Sequence, residues 1–172
     1  SPAKYATTEF YLVVFARMFG WIFWQERSRA VFAKNPVPGL LFVSVPLLFH
    51  WASLANLFAQ SLPLLLYLVL FTLAGIAIGA KTRIIWVRVG VFIVTMPVFM
   101  GWLNGHLTPG WRWASVAVAA ALYLMHLAGQ AEHLTEGDAE IDGPEVALFH
   151  ANALVLFAGL YAIVDATWPY QT

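Results

Sequence analysis

The chain has 172 residues, 61% of them hydrophobic and only 10% charged, with a mean hydropathy of +0.74. Soluble domains carry about 25% charged residues, so composition points to a bilayer rather than water as the solvent. A formal net charge of +0 argues against nucleic acid as a partner. The lack of cysteine excludes disulfides, thiolate metal sites, iron–sulfur clusters and a cysteine nucleophile.

The first apolar segment, residues 5–24, holds Arg17 within it. A charge at a helix centre costs roughly 2.5–3.5 kcal/mol on insertion scales. The segment either spans, with Arg17 facing other helices, or lies along the interface as an aromatic-rich anchor. It is not expected to be a cleavable signal peptide, because no small-residue cleavage site follows it. A basic connection with Arg27, Arg29 and Lys34 leads to the second span, 39–59. Pro46 predicts a kink there, close before His50.

The third span, 62–80, contains the pair Gly75 and Gly79, whose spacing lets another helix approach closely. Lys81 and Arg83 form a short basic link to the fourth span, 84–103, where Arg88 is expected to snorkel to the headgroups. Pro97 predicts a second kink. Trp111 and Trp113 anchor the start of the fifth span, 114–130. The acidic loop 130–145 follows, and Gly143, Pro144 and Glu145 read as the start of the sixth span, 145–167. The expected fold is therefore an all-α integral membrane bundle of six transmembrane helices, or five if the first segment is interfacial. It forms one domain over 1–172.

Arg27, Arg29, Lys34, Lys81, Arg83 and Arg88 fall on one side of this topology. The positive-inside rule makes that side cytoplasmic in a bacterial-type inner membrane, with both termini outside. The acidic loop then lies on the cytoplasmic side.

Candidate chemistry gathers around that loop. His126 lies about one turn inside the end of the fifth span, and His150 about one turn inside the start of the sixth. Three site readings arise. The groups serve as interfacial hydrogen-bonding residues; or His126, His133 and His150 with Glu132 and Glu136 hold a divalent metal; or His126 and His150 ligate haem b from facing helices. The stretch Asp138 to Gly143 imitates the start of a calcium loop, but Phe149 stands where the twelfth-position carboxylate belongs. His50 lies roughly 16 Å deep by helical rise, near the midplane, where ionisable groups are candidates for binding or transport. The nucleophile-elbow, phosphate-loop and HExxH motifs are all absent.

Three functional classes follow. The leading expectation is a non-catalytic subunit of a larger membrane complex, one that could be energy-converting and hold quinone, haem or pigment. The second is a small oligomeric transporter or channel using His50. The third is a membrane enzyme with a metal or haem at His126, His133 and His150. Expected partners are the lipid bilayer and other membrane subunits or further copies of the chain.

Overall fold

The computed structural model describes Phe10, Val14, Met18, Trp21 and residues 48–55, 57–83, 85–135 and 143–167. The chain divides into two compact units, Ser1–Gln60 and Ser61–Thr172. In the first unit, Phe10, Val14, Met18 and Trp21 are helical and exposed, recurring at the three- and four-residue spacing of one helix face. Residues 48–55 are helical as well, and Gln60 donates its backbone N–H to the Leu57 carbonyl at 2.7 Å. Most of the predicted span 5–24, with Arg17, and residues 39–47 of the span 39–59, with Pro46, lie outside the described residues.

The second unit consists of four helices: α1 (Ser61–Thr82), α2 (Ile85–His106), α3 (Arg112–Thr135) and α4 (Gly143–Thr167). A 3-10 turn, Pro109–Trp111, sits between α2 and α3. All four are long and apolar enough to cross a membrane. A 22-residue helix such as α1 rises about 33 Å, matching roughly 30 Å of hydrocarbon. Hydrocarbon offers the backbone no partners, so a helix, which satisfies its own N–H and C=O groups, is the stable local structure. The described residues contain no strand. These features suggest a membrane-embedded, all-helical protein.

Short connections make successive helices antiparallel. α1 packs on α2 and α3, α4 packs on the same two, and α2 meets α3 across the short diagonal. The glycines set this closeness. A Cβ on Gly75 would collide with the Val91 side chain, and one on Gly79 would lie 2.7 Å from Arg88 Cγ. A Cβ on Gly129 would lie 2.8 Å from Ile76 Cγ2. The predicted close approach at Gly75 and Gly79 is therefore made by α2, and Gly129 lets α3 close on α1 in the same way.

Some helix ends differ from the sequence reading. α2, in which a kink is expected at Pro97, is helical on both sides of that residue. The missing proline N–H costs one intrahelical bond, while the bonds on either side persist. α3 continues to Thr135, five residues into the stretch expected to be loop. The helical propensity of Ala131, Glu132 and Leu134 carries it past the apolar span. Link residue Arg83 adopts φ 55, the left-handed conformation that ends many helices and usually falls to glycine.

At the end of the bundle near Ser61, the core is aromatic and aliphatic. Trp102 is fully buried and donates its indole N–H to Ser61 Oγ at 3.2 Å. It meets the Trp111 ring edge-on, with centroids 6.1 Å apart. Trp111 thus packs inside the bundle end, whereas Trp113 points outward with 69% of its surface exposed, as an interfacial anchor does.

Candidate functional site

The opposite end of the bundle is built differently. Arg88 is the fourth residue of α2 and only 3% exposed. Its Nη1 donates to the Gly129 carbonyl of α3 at 2.8 Å, and its Nη2 pairs with Glu145 Oε1 in the first turn of α4. Gly79 of α1 lies directly beneath its aliphatic stem. The Arg88 side chain thus reaches the other three helices, α1 through its stem and α3 and α4 through its guanidinium. The expected snorkelling of Arg88 to the headgroups is corrected by this geometry. A carboxylate and a carbonyl are within reach inside, and glycine on the neighbouring helix leaves room for the stem.

Glu145 does two things at once. It stands in the positive end of the α4 dipole, as the sequence suggests, and it neutralises Arg88. An ion pair out of water needs such additional partners, because desolvation offsets much of its attraction.

One turn deeper, His126 of α3 is 1% exposed, with its ring edge-on to Phe92 of α2 at 5.3 Å. Neither ring nitrogen has a hydrogen-bond partner among the described residues. Gln130 follows four residues later on the same face of α3. It is 4% exposed, and both of its amide atoms lack protein partners, as does Arg88 Nε. Deeper again, Asn152 of α4 donates to the Tyr123 carbonyl at 3.1 Å, while its Oδ1 has no partner.

The other candidate histidines are placed as follows. His150 is exposed and its Nδ1 lies 2.8 Å from the Val146 carbonyl, one turn back on α4. His126 and His150 therefore occupy different environments, one ring inside and the other outside. His50 is half-buried in the helical stretch 48–55. The backbone of α3 is helical through Glu132 and His133, while Glu136 lies outside the described residues. Among the described residues, no three His, Asp or Glu side chains gather as a metal-binding group.

Sequence reasoning turned Arg88 outward and singled out neither Gln130 nor Asn152 as an interior group. A signal was present for Arg88 and Glu145. Each is the charged residue near the start of its own apolar helix, on the same predicted membrane face, and their charges cancel. Gln130 and Asn152 carried only weak signals, since a lone amide in a span reads equally well as outward-facing. The chain matches no protein-family model, no curated protein and no solved structure.

Proposed function

We propose that the chain is a non-catalytic integral subunit of a larger membrane complex. The observation that carries this reading is the use made of the buried charges. The described ion pair is spent on joining helices, with Arg88 bound to Gly129 and Glu145. No cluster of metal-binding groups stands beside it among the described residues. Outward surfaces are long and apolar. α4 has 22% of its span buried against 44% for α1, and turns Phe149, Leu154, Phe157, Tyr161 and Val164 outward. Lipid tails or the helices of a neighbouring subunit suit such a face equally well.

On this reading the chain forms one domain with six spans, or five with an interfacial first segment, in a bacterial-type inner membrane. The basic loops face the cytoplasm and both termini face outward. Partners are lipid and other membrane subunits, or further copies of the chain. Extraction in mild detergent followed by native electrophoresis tests it. Co-migration with distinct membrane polypeptides is expected, and a chain that runs as a lone monomer from its native membrane overturns the reading.

A cofactor-binding role is the second reading, favoured by one observation. His126 is buried with both ring nitrogens unpartnered, and a buried imidazole in that condition suits haem or a divalent metal. His150 faces outward, so further ligands on this reading are drawn from His133, Glu132 and Glu136. An absorption spectrum and elemental analysis of the purified protein decide it. A Soret band or stoichiometric metal that disappears in His126→Ala supports the role, and their absence removes it.

A further inference from the structure

Ionisable side chains within a span ordinarily turn toward the protein interior, because lipid tails offer them no partner. Arg88, Glu145 and His126 follow that rule. His150 breaks it, standing exposed on the outward face of α4. The apolar span Gly143–Ala166 has 24 residues and rises about 36 Å. Centred on roughly 30 Å of hydrocarbon, it leaves about 3 Å in the headgroups at each end. His150 is the eighth residue of that span, which sets its backbone about 7 Å inside the hydrocarbon.

The ring is held where it stands. Its Nδ1 lies 2.8 Å from the Val146 carbonyl, one turn back on α4. A carbonyl only accepts, so Nδ1 carries the proton and donates it. In the neutral ring the other nitrogen, Nε2, is then a bare lone pair. Phe149 packs edge-on to the same ring, with centroids 5.7 Å apart. An N–H bonded to a backbone carbonyl is the arrangement that orients metal-ligating histidines and raises the basicity of the opposite nitrogen.

Lipid tails have nothing to give that lone pair. A second copy meeting this face in parallel would bring another bare Nε2 against it, acceptor to acceptor. A free metal ion needs several ligands, and no three His, Asp or Glu side chains gather among the described residues. A metal already held in a tetrapyrrole ring takes a single imidazole at its axial position. The surface around His150 suits such a flat, apolar ring. Ala147 and Ala153, three residues to either side and exposed, leave room beside the imidazole. Val146 and Leu154, one turn away in each direction and also exposed, offer apolar contact.

We propose that His150 Nε2 is the one protein ligand to the metal of a tetrapyrrole, a haem or a magnesium chlorin, seated on the outward face of α4. The lone pair fills the open axial position, and no electron is transferred. The macrocycle covers Ala147, Ala153 and Leu154 and gives the nitrogen the partner that hydrocarbon withholds. This deepens the subunit reading and rests on it, naming what such a chain carries on its outer face. The site is distinct from the interior one around His126.

Zinc protoporphyrin is the probe, because its metal takes one axial imidazole. The full chain in mild detergent is titrated with it, and with metal-free protoporphyrin to show what partition into the micelle does alone. The expected result is a red-shifted Soret band at one zinc porphyrin per chain and no shift with the metal-free ring. His150→Ala should abolish the shift and weaken binding at least about tenfold, and free imidazole should restore the shift in that variant. Ala153→Phe should weaken binding with His150 in place, and His126→Leu should bind as the unsubstituted chain does. One iron or one magnesium per chain in protein from its native membrane tells haem from chlorin. The proposal is overturned by no shift with the unsubstituted chain, by a shift that survives His150→Ala, or by neither metal in the native material. A shift lost in His126→Leu with unchanged tryptophan fluorescence also overturns it. Native electrophoresis reads the other question. A lone monomer that shifts the probe sinks the subunit reading and leaves the site, while co-migration without a shift does the reverse.

Discussion

Removing one member of the Arg88–Glu145 pair leaves the other charge buried, and the consequence can be put in numbers. Glu145→Leu strips Arg88 of its counter-charge at a position 3% exposed, leaving the Gly129 carbonyl as the acceptor still in place. Breaking a buried pair from one side costs about 3–5 kcal/mol. At 1.4 kcal/mol per factor of ten, that shifts the folding equilibrium by roughly two to three and a half decades. Arg88→Met alone should cost a similar amount, because the carboxylate is then stranded. The double variant Arg88→Met, Glu145→Leu removes both charges and keeps the volume, so its cost should fall below about 1 kcal/mol. The resulting coupling energy is thus at least about 5 kcal/mol in magnitude, beyond the roughly 0.5–3 kcal/mol usual for residues in contact. Unfolding in mixed micelles with increasing anionic detergent, followed by the fluorescence of the eight tryptophans, supplies all four corners of the cycle. If Glu145→Leu costs under about 1 kcal/mol, or if the two single costs simply add, the pair is not a buried interhelical tie.

Other outcomes follow from the packing. Gly75→Ala should destabilise by about 1–3 kcal/mol through overpacking against Val91. Gly105→Ala, where an added Cβ meets nothing within 4 Å, should stabilise by about 0.5–1 kcal/mol; equal effects in the same unfolding assay would refute the close approach. Trp102→Phe should cost about 2–4 kcal/mol, from the cavity left by a fully buried indole and the lost bond to Ser61, and a Ser61→Ala background should remove only the hydrogen-bond part, about 1 kcal/mol. Arg83→Gly should raise stability by about 1 kcal/mol because glycine accepts the left-handed φ of 55 without strain, whereas a loss of more than that would show that the Arg83 side chain matters more than its backbone. Where a flux through the chain can be measured, His50→Leu should leave it unchanged if the subunit reading holds, and abolition of flux would favour transport instead.

Sequence alone determined what depends on local composition and period. Sustained apolar runs of span length made α1, α2, α3 and α4 legible, because a backbone in hydrocarbon has little choice but helix. The start of α4 at Gly143, Pro144 and Glu145 was readable for the same local reason, as was the pair of small residues at Gly75 and Gly79. The ends of α1 and α3 were less so, since helix termination at Arg83 and Thr135 leans on φ values and packing that no local pattern encodes. Tertiary structure alone decided which way each polar side chain points. α2 and α4 have scarcely any sequence asymmetry between faces, because lipid and helix interior are nearly equally apolar. Hydropathy could not tell an inward Arg88 from a snorkelling one, or separate buried His126 from exposed His150. Those orientations are set by partners on other helices. The Gly129 carbonyl, the Glu145 carboxylate and the space over Gly79 come together at Arg88 only once the four helices pack.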